Sequence, residues 1–479
     1  MNSKKSLQGM EIRKIGSNRG RPRLWIEGAV ASRACFLPGM KISVTLDEEK
    51  CMLTLEANES GERVVSKKTV RDRDVPVVDI NSENLLGIFV RMGLTAVRLV
   101  VQLHRIFVLP IASEVRAKER LDRLKSKLEN NEPLLMGSFS SGIGILDRAA
   151  HTGFEEAGIR TRLAVANEIR LDCIEHAVER NPVFDGQTIL LTAPMQEVVF
   201  DNWVMSQLPK LDGLAIGIPC SGASNAGRTK RKLEFPESHP DVGHLVVPFL
   251  AAVAQTSPSF VAIECVPGWL NTASAAIARS MLRDLGYVVH ETVLNAADWN
   301  MLEHRERMCI IAVTQGIEFS FDLVDRPEPR ARRLGEIMDA VALDDKCWSP
   351  LTYLKEKQLR DEAAGKGFKM TIVNEDSPKV PTLNKTLHKR QSTGTFFQHP
   401  ENPDLLRIPT LVEHARCKGV WEDMVEGVTQ TFGHETCGQA VSVPPFVSVF
   451  NALGRALQAF KQATSISFSS FVRADMVAA

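Results

Sequence analysis

The chain has 479 residues, 44% of them hydrophobic, with 31 Gly and 24 Pro, an ordinary globular composition that excludes collagen-like and disordered chains and leaves room for two or three domains. Its 58 Lys and Arg balance 58 Asp and Glu, so a nucleic-acid partner would have to be met by positive charge confined to one cleft. The nine Cys are scattered without a CxxC pair, the amino terminus lacks the apolar core of a signal peptide, and no apolar run approaches a membrane span, so a cytoplasmic protein with free thiols and no membrane partner is expected.

Residues 1–34 are rich in Lys, Arg, Gly and Asn without a period and predict a flexible arm. From Lys41 the pattern changes. Ile42, Val44 and Leu46 alternate with polar residues, DEEK makes a turn, and Cys51, Leu53 and Leu55 alternate again, which predicts a hairpin. A second hairpin is predicted through Ala96 to Val100, a turn near His104 and Arg105, and Phe107 to Leu109, with a short helix near Leu85 to Arg91 between the two. Together these make a small β-rich module over 35–115, followed by a helical linker over 116–130. Its arrangement of hairpins resembles the swapped-hairpin DNA-binding barrels of the antitoxin and transition-state-regulator type. A folding or dimerisation appendage is the equal alternative.

A different rhythm starts at Leu134. LLMGSF, LAVANE, Thr188 to Leu191, Gly213 to Ile216, Phe260 to Ile263, Val288 to Val293 and Cys309 to Val313 read as apolar strands, several of them separated by helical text such as Leu171 to Arg180. The fold class expected is α/β, a mostly parallel sheet covered by helices on both faces, with ligands at the carboxyl ends of its strands. The core domain is expected over 131–317. Residues 318–405 are richer in Pro, Lys, Arg, Asn and Thr with no sustained helical face, helical text returns over 406–465 with a last helix from Pro445 to about Lys461, and 466–479 form a tail.

The turn after LLMGSF runs Ser140, Ser141, Gly142, Ile143, Gly144. Its glycines tolerate positive φ and let a ligand approach the backbone. Glu168, at the end of the second strand, is placed to accept hydrogen bonds from ribose hydroxyls; a solvent-facing acid is the plain alternative. In GIPCSGAS, Pro219 and Cys220 stand at another strand end, where a thiol of lowered pKa acts as a nucleophile, although a lone Cys is more often a small buried hydrophobe. The loop 221–241 is polar and basic. Glu264 closes an apolar strand in VAIECVPGW, and Glu is seldom buried unless paired. Arg305 and Arg307 in HRERMCIIAV lie on one side of extended chain, where they would hold an acid or a phosphate or merely form a surface ion pair.

In this order the segments resemble the DNA (cytosine-5) methyltransferase family, over residues 134–315 and 405–461. The resemblance implies transfer of a methyl group from S-adenosylmethionine to carbon 5 of a flipped cytosine in double-stranded DNA, without a metal. It places Phe139, Ser140, Gly142, Ile143, Gly144, Glu168, Ile169, Pro219, Gln439 and Val441 at the cofactor, with Glu168 on the ribose and Ile169 against the adenine. Cys220 becomes the nucleophile, Glu264 the acid on the base, and Arg305 and Arg307 its companions. Gly438 and Val441 fall in the family's last motif, and Arg407, Thr410 and Glu413 in the motif supporting a target-recognition region, assigned to 318–405. Ser224, Arg228, Lys230, Arg231, Lys385, Lys389 and Arg390 are the expected DNA contacts. A separate restriction endonuclease is a possible partner, and oligomeric state is open.

Several residues depart from the family pattern: Cys265 and Gln439 stand where Asn is common, Glu303 where Gln is common, and Gly137, Ser138, Ser140 and Ser141 alter the first loop. No acid is evident after the third strand. Two other readings therefore stand beside the first: a carbon 5 modification with a different donor, and a non-catalytic DNA-binding protein on a methyltransferase scaffold.

Overall fold

The computed structural model describes residues 6–219, 222–223, 231–367 and 369–463. They divide into two compact units, one running to Leu121 and including 284–286, the other covering 122–283 and 287–462.

The first unit contains β1 (Leu7–Lys14), β2 (Gly16–Asn18), β3 (Arg21–Glu27), α1 (Ala29–Arg33), β4 (Lys41–Asp47), β5 (Met52–Ala57), β6 (Arg63–Val64), β7 (Ser66–Val70), β8 (Arg73–Asn81), α2 (Glu83–Arg91), β9 (Ala96–Gln102) and β10 (Arg105–Pro110). Its two sheets have the orders β1-β9-β10-β5-β4-β6 and β2-β3-β8-β7. Alternation explains which face is buried: Leu24 and Ile26 of β3, Leu53 and Leu55 of β5, and Ile106 and Val108 of β10 enter one core with Phe36 and Phe89. The expected flexible arm is corrected here. Residues 7–27 form β1 to β3, with β1 paired to β9 from Leu7↔Gln102 to Lys14↔Ala96 and β3 paired to β8. These strands are ordered by backbone partners far away in sequence, which local periodicity does not report.

After α3 (Ala112–Glu129), the second unit is built on β11 (Leu134–Phe139), α4 (Ile145–Glu156), β12 (Thr161–Asn167), α5 (Leu171–Arg180), β13 (Ile189–Leu191), α6 (Met195–Val199), α7 (Asn202–Gln207), β14 (Gly213–Gly217), α8 (Val246–Thr256), β15 (Phe260–Cys265), α9 (Ala273–Asp284), β16 (Tyr287–Asn295) and β17 (Glu306–Thr314). The strand order is β13-β12-β11-β14-β15-β17-β16. Strands β11 to β15 pair in parallel, whereas β17 is antiparallel to both β15 and β16. The fold is thus α/β with a mostly parallel sheet.

The chain continues through α10 (Thr352–Ala363), β18 (Thr371–Val373), β19 (Thr395–Gln398), β20 (Leu406–Arg407), α11 (Leu411–Lys418), α12 (Gln430–Gln439) and α13 (Val443–Gln462). Strands β18, β19 and β20 form a small sheet of their own. Helix α10 lies where the sequence shows no helical face, because only Leu354 and Asp361 of it are buried. Good helix formers and the Lys357–Asp361 pair at 2.5 Å sustain it instead. Helix α13 returns to the main sheet. Phe450 meets Phe154 of α4, whose ring also meets Phe260 of β15, at 5.6 and 5.4 Å between centroids. A Cβ on Gly153 would stand 2.4 Å from the Val447 carbonyl oxygen, so glycine is required for this close helix crossing. Among the described residues no single helix is long and apolar enough to cross a membrane.

Candidate active site

The parallel strands β11, β12, β14 and β15 end on one edge of the sheet. Phe139 of β11 is level with Asn167 of β12 and Ile216 of β14, and Gly217 of β14 is level with Glu264 of β15. The segments singled out in the sequence therefore leave the same edge.

Phe139 itself is buried as the last residue of its strand. Beyond it the chain turns through three left-handed residues, Ser140, Gly142 and Gly144, at φ 53°, 56° and 77°. At Gly144 a Cβ would strike the Phe184 ring at 2.4 Å, whereas one at Gly142 would meet nothing within 4 Å. Gly144 is thus demanded by packing, whereas Gly142 leaves open space. Asn181 clamps the turn by donating from Nδ2 to the Ile143 and Gly144 carbonyls at 3.1 and 2.8 Å. Ile143 is buried.

Glu168 follows β12. Its carboxylate accepts from Gly142 N at 2.9 Å and from Arg170 N at 3.1 Å, which fixes an acceptor beside the turn and leaves lone pairs for further donors. Ile169 next to it is 65% exposed, an apolar side chain without cover at a strand end. A carboxylate acceptor, an uncovered aliphatic side chain and an open glycine fit the ribose, adenine and chain of a nucleoside cofactor. Gln439 is the exposed last residue of α12, and Val441 is buried.

Cys220 lies outside the described residues, as do Ser224, Arg228 and Lys230. The residues leading to Cys220 are held firmly. Ile218 N donates to the Glu264 carbonyl at 2.9 Å, and the Cys265 thiol donates to the Ile218 carbonyl at 3.4 Å. Cys265, where the family commonly has Asn, thus still ties the end of β15 to the segment carrying Pro219. Pro219 lines a small cavity with Ile218, Gly222, Ala223, Pro236 and Trp269.

Glu264 is buried at the end of β15, and Arg307 Nε stands 3.0 Å from its Oε1. Burial pushes the Glu264 carboxyl above the usual range against the opposing pull of Arg307 and Arg305. The two arginines serve different partners: Arg305 is buried, donates from Nη2 to the Gly438 carbonyl at 3.1 Å and lies 3.6 Å from Glu303.

Glu303 and Lys418 are both fully buried. Lys418 Nζ stands 2.5 Å from each Glu303 oxygen, Leu383 N donates to Glu303 at 2.8 Å, and Lys418 donates to the Leu383 carbonyl at 3.2 Å. The pair therefore anchors the start of the loop bearing Lys385, Lys389 and Arg390, all exposed. A Cβ on Gly438 would stand 2.2 Å from Lys385 N, so this glycine lets α12 press against the same loop. Arg407 and Glu413 form a buried bidentate pair at 2.6 and 2.7 Å, and Thr410 and Glu413 cap α11, the helix that ends at Lys418. Arg231 lies apart from this loop in sequence and pairs loosely with Asp241 at 3.6 Å.

Three contributors had no clear signal in the sequence. Lys418, in the last turn of α11, reads as an ordinary partner of the helix dipole. Asn181 reads as a helix terminus. Asp147, in the first turn of α4, is buried with an oxygen lacking a hydrogen-bond partner, and burial raises its carboxyl to about 6 against the nearby Ser138 hydroxyl. Also buried are His414 and His434, with Nδ1 atoms 3.0 Å apart; burial holds His414 well below the usual imidazole value and His434 down to about 4, so both are neutral at pH 7.

Residues 136–455 match the sequence profile described as C-5 cytosine-specific DNA methylase. The chain is similar to the type II methyltransferase M1.ScrFI of Lactococcus lactis subsp. cremoris, 26% identical over 53% of this chain and 65% of that protein. It is also similar to the type II methyltransferase M.MspI of Moraxella sp, 27% identical over 53% of this chain and 59% of that protein. The chain thus spans about three fifths of the length of each. The crystal structure of S. pombe Dnmt2 methyltransferase superposes with a TM-score of 0.51 at 19% identity, covering 68% of this chain and 99% of that one, a likeness of fold.

Proposed function

Because the chain belongs to the C-5 cytosine-specific DNA methylase family, we propose that it methylates carbon 5 of a cytosine in double-stranded DNA, with S-adenosylmethionine as donor. The observation that carries this reading is Glu264. Its buried carboxyl, raised by its surroundings and oriented by Arg307, ends a strand level with the segment leading to Pro219 and Cys220.

Cytosine carbon 5 is too electron-poor to attack an electrophile unaided. Addition of the Cys220 thiolate to carbon 6 raises its electron density. Glu264, whose protonated form burial favours against the pull of Arg307 and Arg305, donates to the ring nitrogen and neutralises the charge that develops there. Arg307 orients Glu264, while buried Arg305 positions the segments around Gly438 and Glu303. S-adenosylmethionine, when bound, supplies a methyl group on a sulfonium leaving group. Glu168 accepts from its ribose hydroxyls, Ile169 covers its adenine, and Gly142 and Gly144 shape the turn around its chain. Loss of the carbon 5 proton to water, with the ring-nitrogen proton returning to Glu264, then allows the Cys220 sulfur to leave carbon 6, restoring the thiolate and the aromatic base.

The base must leave the stack for this chemistry, at a cost of a few kcal/mol. Residues 318–405 are proposed as the target-recognition region, with Lys385, Lys389 and Arg390 on phosphates and the loop with Ser224, Arg228, Lys230 and Arg231 closing on the DNA. A cytoplasmic modification role beside a separate restriction endonuclease is part of the same proposal; the similar proteins are named type II methyltransferases.

The test is incubation with mixed-sequence duplex and methyl-tritiated S-adenosylmethionine, followed by nucleoside analysis. Label in 5-methylcytosine is expected. Duplex binding without any label would transfer the proposal to the non-catalytic scaffold, and label in another nucleoside would overturn the assignment to carbon 5.

A further inference from the structure

The first unit is a tandem duplication. The segment β1-β2-β3-α1-β4-β5 is followed by β6-β7-β8-α2-β9-β10 in the same order. The two sheets obey the same pseudo-two-fold relation. β3 pairs with its counterpart β8 about Trp25↔Asp79, and β5 with its counterpart β10 about Thr54↔Phe107. The leading strands are exchanged: β1 pairs with β9 of the second repeat, and β6 with β4 of the first. Core positions repeat as well, with Leu24 and Ile26 answered by Val78 and Ile80, and Leu53 and Leu55 by Ile106 and Val108. A dimer-like exchange of strands is thereby made between two halves of one chain.

The relation also repeats a hairpin. The β2–β3 turn has Arg19 and Gly20 at φ 52° and 74°, followed by Arg21; the β7–β8 turn has Arg71 and Asp72 at φ 48° and 60°, followed by Arg73. Both are two-residue turns with positive φ at each central position, where Asn, Asp or Gly is favoured. In each an arginine nevertheless holds the first central position. Lower on the hairpins the cations are neutralised, Arg23 by Asp79, Lys67 by Asp74 and Lys68 by Glu27. Arg19, Arg21, Arg71 and Arg73 are exposed and form no salt bridge among the described residues. The stretch 13–23 holds five cations and no acid. Counted from the Trp25–Asp79 axis at about 3.3 Å per residue, the tips lie roughly 40 Å apart, near the ~34–36 Å of one B-DNA turn.

We infer that this unit is a second DNA-binding surface, in which the Arg19–Arg21 and Arg71–Arg73 hairpins hold phosphates about one helical turn apart on a duplex. The inference stands on the charge and symmetry of the first unit and does not rest on methyl transfer. Phosphate binding gives it no need of cytosine.

The full chain is titrated with an alternating dA·dT duplex of about two helical turns, which contains no cytosine, over a range of salt concentrations. Replacing the four tip arginines together by alanine (R19A, R21A, R71A and R73A) is expected to weaken binding at least tenfold at low salt. It should also lower the log-log salt slope by about 3 to 4, since each phosphate contact contributes ~0.9. Alanine at one tip alone takes about half of the slope change, and the corresponding fourfold lysine variant keeps most of the slope. An unchanged slope in the fourfold alanine variant would overturn the inference, as would equal loss in the alanine and lysine variants.

Discussion

Glu303 and Lys418, 115 residues apart in sequence, form a fully buried ion pair with Lys418 Nζ 2.5 Å from each carboxylate oxygen. Glu303 is a departure from the family's common Gln, and the structure supplies the reason it is tolerated: Lys418 neutralises it, and Leu383 closes the network through its N–H and carbonyl. Burial, and then the Arg305 guanidinium, bring the Lys418 ammonium down to about 8 against the pull of Glu303, so it is still mostly charged at neutral pH.

Breaking one half of this pair strands a buried charge. Glu303→Gln alone and Lys418→Gln alone should each destabilise the protein by roughly 3–5 kcal/mol. The double variant, with two neutral amides, should recover much of that loss. Urea denaturation of the four proteins closes the cycle, and strictly additive losses would show that the residues are not coupled.

Glu264 gives a second expectation. Glu264→Ala should lower kcat by about 10²–10⁴-fold while leaving duplex affinity near that of the parent. The pH profile separates proton donation from packing. The Cys220 thiolate needs rising pH, whereas the protonated carboxyl of Glu264 is lost as pH climbs through its raised value. The parent's activity should therefore fall on the alkaline side. Glu264→Gln, which cannot ionise, should lack that decline, and retention of the same decline would assign it to another group.

For Asp147 the expectation concerns stability. Its folded-state carboxyl is raised to about 6 from the ordinary 3.8, so between those values the folded protein binds the extra proton. Stability attributable to this group is then greatest at low pH and falls as pH rises toward 6. Asp147→Asn should be more stable than the parent at pH 7.5, by at most about 3 kcal/mol. The difference should shrink as pH approaches 4. A gap independent of pH would point to packing instead of titration.

Glu168→Gln keeps the shape of the side chain and removes its charge. Binding of S-adenosylhomocysteine, followed by calorimetry, should weaken roughly tenfold to a hundredfold, the loss of about 1.5–3 kcal/mol for a charge-assisted hydrogen bond. Unaltered affinity would remove Glu168 from the ribose.

The main sheet was legible because its strands are short apolar runs at regular spacing; LLMGSF and the segment from Phe260 correspond to β11 and β15. The site segments were legible because each lies just past such a run, as Glu168 does after β12. The order of Leu7 to Glu27 was not, since those strands are fixed by β8 and β9, whose contribution no local window contains. Lys418 was illegible for the same reason. A charged residue near a helix end looks solvated until the fold brings Glu303 to it. The duplication in the first unit is not legible in the sequence, because what repeats is element order and burial, with little residue identity.

The most direct measurement of the covalent account uses a duplex in which the target cytosines carry fluorine at carbon 5. With S-adenosylmethionine present, Cys220 adds to carbon 6 and the methyl group is transferred. The carbon 5 proton whose removal would release the sulfur is absent, so the protein stays joined to the DNA. The account predicts a denaturation-resistant protein–DNA species with the parent protein and none with Cys220→Ser, although that variant still binds the duplex. Methylation of ordinary duplex by Cys220→Ser, or an adduct mapped to another cysteine, would contradict it.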